Sequence, residues 1–397
     1  MKVPLLALAA SLLLVASRAA PGNQVVLDIN SSPEYPRNSE GAFATLKSGR
    51  IVFYYTQFYG GHEDVSPARI TEIHSDDQGL SWSQPRVVIE NIGKQNVMSV
   101  SLLRLASGRL AFIYGIKNGL WDNHPYLRIS ADDSTTWSSP TPVIPSPGYF
   151  SRNNDRVIQT RSGRLIYPVA FYRSLLSATP VSDKTDSTGK ILTVVGHALH
   201  ERGVAREADS RGIVLWYLSD NEGASWREAD TWWALPVASE NGLQEPGVVE
   251  LADGSLYGWA RTDQGEQYSF WSHDDGKTWT APVPSELKSP CAPASIKRLP
   301  GSEALLAIYN DHSGMFPVPP DGNRRTPLVA AISTDGGKTW PLRKVLEADP
   351  NSNFAYTAIH FIHDSVLLAY SHSKTGSAHL GSLRVRRIAL SWLPAAP

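Results

Sequence analysis

Five stretches of this 397-residue chain repeat one eight-residue pattern, Ser-x-Asp-x-Gly-x-Thr/Ser-Trp, and no other feature constrains the fold as strongly. They run from Ser75 to Trp82, Ser130 to Trp137, Ser219 to Trp226, Ser272 to Trp279 and Ser333 to Trp340. The chemistry is that of a tight β-hairpin turn: the Asp carboxylate caps free backbone N–H groups, the Gly takes positive φ, and the Trp anchors the turn between neighbouring sheets. Two copies are worn, with Ser134 in place of the Gly and Asn221 in place of the Asp. Five copies in order predict a tandem array of sheets.

A second repeat interleaves with the first. Apolar runs break at a short corner and resume around Gly49, Gly108, Gly163, Gly254, Gly301 and Asp364. Each reads as a hairpin of two half-buried strands. Six such hairpins, most followed by one of the eight-residue turns, predict an all-β chain of six four-stranded blades set radially, a six-bladed β-propeller. The ring must close, and the natural pair to close it is the N-terminal strand 24–30 with the C-terminal run 383–393.

The first twenty residues differ from the rest. Lys2 precedes an apolar stretch from Leu5 to Val15, followed by small residues up to Ala20. This is the order of a secretory signal peptide and is too short for a membrane span, so residues 1–20 are expected to be removed near Ala19. Residues 21–397 are then expected to form one propeller domain, soluble in a periplasm or outside the cell, with about 60 residues per blade. The 37 Lys and Arg against 38 Asp and Glu give a formal charge of −1. With no long basic run, neither a nucleic acid nor membrane insertion is expected, and a small neutral or anionic molecule is the better partner. Oligomeric state is not legible. Cys291 is the only cysteine; it allows no intramolecular disulfide and reads as an inert buried thiol.

Hairpin arithmetic nominates a site. A residue about eight before a corner and one about eight after it lie at the same end of an antiparallel sheet. Glu245 and Arg261 flank Gly254 in this way, and Tyr356 precedes Asp364 by the same interval. Arg325 precedes Ser333, the start of the fifth turn, by eight. Arg37 and Asp64 lie on the segments flanking the first hairpin. All six can converge at one end of the propeller axis, where such folds keep a ligand pocket.

The eight-residue turns resemble the Asp-box (BNR) repeat of the sialidase, or neuraminidase, superfamily, and the ordered motifs make the resemblance residue-specific. YPRN supplies Arg37, YGGHEDVSPARI supplies Asp64, QEPGVVELADGSLYGWAR supplies Glu245 and Arg261, NRRTPLVAAISTDGGKTW supplies Arg325, and FAYTAIHFIHDSVLLAY supplies Tyr356. The resemblance implies an exo-α-sialidase-like glycoside hydrolase in which Arg37, Arg261 and Arg325 hold the substrate carboxylate. It implies Tyr356 as nucleophile, Glu245 as its base and Asp64 as acid and base. The family's Phe-Arg-Ile-Pro is reduced here to its arginine, and Arg324 beside Arg325 is an alternative third ligand. Arg69 and Arg156 also lie near candidate loops, and Arg211 stands eight before Ser219, the start of the third turn.

Each residue type suits the chemistry. The anomeric carbon of a sialic acid bears a carboxylate, which repels an anionic nucleophile; a neutral phenol avoids this if a neighbouring carboxylate takes its proton. Guanidinium forks fix a carboxylate's orientation as well as its affinity. An acid that protonates the leaving oxygen needs a raised pKa, which burial under the aglycone could supply. Other chemistries are less well provided for. His197, His200 and Glu201 lack a metal-binding order, and so do His360 and His363; no cofactor is implied. The remaining alternatives are a hydrolase or lyase for another acidic sugar, and a non-catalytic glycan-binding propeller.

Overall fold

A computed structural model describes residues 22–119, 122–176, 206–320, 322–377 and 379–394. The expected leader and the His197, His200 and Glu201 cluster lie outside the described residues. Each apolar run forms a strand whose partner follows the corner, and the pairings give four four-stranded sheets and one nine-stranded sheet that divides into two further four-stranded antiparallel units and a linking strand. The first comprises Arg37–Thr45, Ile51–Phe58, Ala68–Ser75 and Arg86–Ile89. The second comprises Asn96–Arg104, Leu110–Gly119, Asp122–Ser130 and Thr141–Pro142. The third comprises Ile158–Gln159, Leu165–Tyr172, Ile213–Ser219 and Arg227–Glu228. The fourth comprises Gln244–Glu250, Leu256–Arg261, Glu266–Ser272 and Val283–Lys288. The fifth comprises Ser295–Arg298, Leu305–Asn310, Leu328–Ser333 and Leu342–Glu347. The sixth comprises Phe354–Ile362, Ser365–His372, Ser382–Ala389 and, outermost, Asn23–Ile29.

Burial makes these units the blades of a propeller. Alternating side chains on each sheet pack against both neighbours, so that an apolar cluster fills each gap. Tyr54 and Phe112 meet between the first and second blades, and Leu127 and Tyr167 between the second and third. Trp216 and Phe270 meet between the third and fourth, and Tyr257 and Tyr309 between the fourth and fifth. Ile308 and Leu368 fill the fifth gap, and Phe53 and Leu367 close the ring between the sixth and first. The second and third blades are also joined by Gly148–Ser151, which pairs parallel with Asp122–Ser130 and antiparallel with Leu165–Tyr172.

The expected closure is present, with one correction. Asn23–Ile29 pairs antiparallel with Ser382–Ala389, but the last strand stops at Ala389 and Leu390–Trp392 is a 3-10 turn. There the chain leaves the sheet: Leu390 N–H bonds the Asp364 carbonyl, and Lys344 Nζ sits 3.9 Å from the centre of the Trp392 ring.

The Asp boxes behave as turn chemistry requires. In the first, the Asp77 carboxylate accepts from Leu80 N (3.1 Å), Ser81 N (2.8 Å) and Ser81 Oγ (2.6 Å). Ser75 Oγ accepts from Gly79 N at 2.8 Å. The worn copies keep the geometry: Ser134 adopts φ 71°, and Asn221 Oδ1 accepts from Ser225 N at 2.9 Å. Each box also presses on the preceding blade. A Cβ on Gly337, at φ +87°, would lie 2.8 Å from the Tyr257 ring, and one on Gly276 would lie 2.9 Å from Ile166. Trp279 stacks on Trp216 of the third blade, centroids 4.4 Å apart.

Register sets the two ends of the ring apart. In the first blade Ile51 faces Ser75 beside the corner and the box, while Phe58 faces both Arg37 and Ala68 at the opposite end. Corners and boxes therefore share one end of the molecule, and the six candidate residues belong to the other.

Candidate active site

Four of the six innermost strands break their register at that second end. The bulges fall between Ser39 and Ala42, Met98 and Ser101, Gln244 and Gly247, and Ala355 and Ala358. Each contains one non-glycine residue in the left-handed region: Glu40 (φ 53°), Ser99 (62°), Glu245 (47°) and Tyr356 (61°). Such a backbone costs about 1–3 kcal/mol per residue and persists where the surroundings fix it. A bulge re-aims its side chain, and here the side chains meet across the axis.

Arg37 opens the first strand and is largely buried against the Phe58 ring, 4.5 Å from its centroid. Its guanidinium donates to Glu40 Oε1 (2.9 Å), Asp64 Oδ1 (2.5 Å) and the His62 carbonyl (3.3 Å). Burial alone would lower its pKa, but Asp64 and Glu40 outweigh burial and raise it. Burial pushes the Glu40 carboxyl up against the opposing pull of Arg37, and Ser99 Oγ donates to its other oxygen. The loop carrying Asp64 is held from the second blade: Asn96 Nδ2 (2.8 Å) and Lys117 Nζ (3.1 Å) both donate to the Asp64 carbonyl.

On the other side, Arg261 donates to Glu245 Oε2 at 3.0 Å and to Cys291 Sγ at 3.2 Å. Burial opposes its charge, yet Glu245 and Cys291 raise its pKa well above the usual arginine value. Arg325 donates from its terminal nitrogen to the Cys291 carbonyl (3.3 Å), and its guanidinium carbon lies 5.5 Å from the centre of the Tyr356 ring. Its backbone is pinned by Asn353 Oδ1 and Phe354 N. The Tyr356 phenol is raised by burial and by Glu245, while Arg325 and Arg261 pull the other way. It is therefore a neutral phenol at neutral pH, surrounded by both signs of charge.

All six sequence-nominated residues thus lie at one end of the ring, in three contacts: Arg37 with Asp64, Glu245 with Arg261, and Arg325 with Tyr356. Other arginines are engaged elsewhere. Arg324 donates to the Asn351 carbonyl at 3.2 Å, and Arg69 to Gln57 and Tyr35. Arg156 is buried on the Ala294 carbonyl, and Arg211 pairs with Asp209 at 2.8 Å. One expectation needs correction. Cys291 is half-buried rather than buried, because it forms the wall between Arg261 and Arg325. The Asp64 side chain is 59% exposed and pairs with Arg37.

The sequence also held residues that were missed. Glu40 stands nine before Gly49, just as Glu245 stands nine before Gly254 and Ser99 nine before Gly108; that shared interval was the available signal. Lys117 carried none, since its role depends on a loop from the neighbouring blade. Among the described residues no group of three or more His, Cys, Asp or Glu is placed to hold a metal ion. His360 Nε2 lies 2.8 Å from Thr45 Oγ1, and burial lowers its pKa to about 3.

Fold and site together define a β-propeller with charged side chains gathered at one end of its ring. Residues 53–368 match the BNR repeat-like domain, and the chain belongs to that family. Solved structures share the fold at low identity. The Hadza microbial sialidase Hz136 is 18% identical with a TM-score of 0.65, over 91% of this chain and 67% of its own. A protein of unknown function from Dyadobacter fermentans is 17% identical with a TM-score of 0.66, over 93% of this chain and 100% of its own. The intramolecular trans-sialidase from Ruminococcus gnavus, in complex with oseltamivir carboxylate, is 15% identical with a TM-score of 0.65, over 94% of this chain and 98% of its own. No curated protein sequence matches.

Proposed function

We propose that this chain is a secreted, retaining exo-glycosidase that removes terminal sialic acid, or a related nonulosonic acid, from glycoconjugates, with residues 21–397 as its working domain. The observation that carries this reading is Tyr356: a phenol held in a strained bulge, its pKa raised by burial and by Glu245, beneath Arg325 and beside Arg261. Because its pKa is raised, the free site does not hold a preformed phenolate. The nucleophile is made during attack, when Glu245 takes the phenolic proton as the Tyr356 oxygen bonds the anomeric carbon. Asp64 delivers a proton to the departing glycosidic oxygen. In the second half, Asp64 takes a proton from water, the water oxygen replaces Tyr356 at the anomeric carbon, and Glu245 returns its proton to the phenolate.

The Arg37 pair gives Asp64 a reason to change partner. In the free site Arg37 holds Asp64. A substrate carboxylate arriving at Arg37 competes for that cation and frees Asp64 to face the departing oxygen under the covering aglycone. Binding and release of the acid are then one event.

Purified protein with an aryl α-sialoside, followed by time-resolved NMR, tests the reading. Two displacements predict the α-anomer as first product. A β-anomer would assign the attack to water, an unsaturated product would indicate a lyase, and binding without turnover of any acidic glycoside would favour a lectin-like propeller.

A further inference from the structure

The third blade has an innermost strand of only two residues, Ile158–Gln159. The segment before it, Arg152 to Arg156, carries five consecutive polar side chains, four of them buried. These residues bond to four other blades. Asp155 N bonds the Val100 carbonyl (2.9 Å), and Arg156 N bonds Ser101 Oγ (2.9 Å), both in the second blade. Arg156 reaches the Ala294 carbonyl and Ser295 Oγ beside the fifth blade. Asp155 accepts from Lys297 Nζ and from Ile359 N. Asn154 spans the first and sixth: Nδ2 donates to the Gly41 carbonyl at 2.6 Å and to the Tyr356 carbonyl at 3.2 Å.

Those two carbonyls belong to the bulges that aim Glu40 and Tyr356. We infer that Asn154 is a positioning residue, whose one amide group locks both bulges in their left-handed backbone and so fixes where the Tyr356 phenol and the Glu40 carboxylate stand. The amide's orientation is set by electrostatics, because the reversed group would put oxygen against two carbonyl oxygens. Asn154 Oδ1 is buried and has no hydrogen-bond partner among the described residues. An unmet buried acceptor is costly, so an apolar residue would suit this place better if the donor were not used. Asn154 also stands nine before Gly163, the interval that placed Glu40, Ser99 and Glu245. The third blade thus gives its axial position to holding the others.

The inference rests on Tyr356 acting as nucleophile only for its kinetic consequence. Asn154→Ala and Asn154→Asp are to be crystallised, and assayed with 4-methylumbelliferyl α-N-acetylneuraminide well below their melting temperatures. Asn154→Ala should lower kcat by about 10- to 100-fold at every pH, with KM changed little, because a displacement of the order of 1 Å costs that much. In that crystal Tyr356 should leave positive φ. Asn154→Asp supplies a signature that loss of packing cannot. Facing two carbonyls, the new carboxyl has a raised pKa and donates only when protonated, so its activity relative to the parent should climb as pH falls and vanish as pH rises. Unchanged kcat with Tyr356 still at positive φ, or a pH-independent loss in Asn154→Asp, overturns the inference. If the parent turns over no sialoside while Tyr356 relaxes in Asn154→Ala, positioning stands and the sialidase reading falls. If Asn154→Ala does not fold, the low-pH recovery of Asn154→Asp decides.

Discussion

The two ends of the ring are built on opposite plans. At the box end, one turn recurs five times, its donors and acceptors are matched within eight residues, and its left-handed positions are shared by glycines and by Gln78, Asp133, Ser134, Glu222 and Asp275. At the site end, Glu40, Ser99, Glu245 and Tyr356 take left-handed backbone inside strand bulges, and their partners come both from the same blade, as Arg37 and Arg261 do, and from another, as Ser99 and Arg325 do. Repetition serves stability, because the same local solution works in any blade. Function departs from repetition, because a ligand is asymmetric and each blade must offer it something different.

Substitutions at the two ends should therefore separate turnover from stability. The largest effect belongs to Tyr356→Phe, which should lower kcat for a sialoside by roughly 10⁴-fold or more with an unchanged melting temperature; substantial residual turnover would show that the phenol only lines the pocket. Next comes Arg325→Lys, which keeps the charge but loses the planar fork. It should cost about 2–4 kcal/mol of transition-state binding, read from kcat/KM, while Arg324→Lys and Arg211→Lys stay near the parent. The reverse pattern would transfer the contact to Arg324.

At the box end the effects shrink and change kind. Asp274→Ala removes the acceptor of Thr278 N and Thr278 Oγ1 and should cost about 1–2 kcal/mol of stability by denaturant unfolding, with kcat of the folded fraction preserved. A fall in kcat at unchanged stability would erase the distinction between the ends. The smallest effect is in acid. Hydrogen bonds from Thr136 lower Asp132 to about 2. A depressed carboxyl contributes stability that is present above its unfolded value near pH 4 and is lost as pH falls through the folded value. Asp132→Asn should flatten the fall in melting temperature between about pH 4 and 2, whereas the third box, with Asn221, already lacks that titration.

How much was legible follows from the same contrast. The corners at Gly49 and Gly254, the boxes and the closing strands obey local rules, so periodicity and turn residues located them. The ordered motifs located Arg37, Asp64, Glu245, Arg261, Arg325 and Tyr356 at one end. Glu40 escaped because a bulge shifts the alternation of a strand, so the simple period of two does not say which side chain meets the axis, and Asn154 because it lies on the irregular segment before the strand Ile158–Gln159. Lys117 and Cys291 escaped for another reason: their partners are the Asp64 carbonyl and Arg261, brought near only by the ring. The pairing of Asp64 with Arg37 was not legible either, since it depends on how an exposed loop folds back.

The closure of the sixth blade has a consequence in time. Asn23–Ile29 and its partner Ser382–Ala389 lie far apart in sequence, with Asn23 opposite Ile388 and Ile29 opposite Leu383. Pairing across so long a separation is slow to form, and until it forms the blade bearing Tyr356 lacks its outer edge. The pairing that closes the ring is therefore also the one that completes the sheet carrying Tyr356.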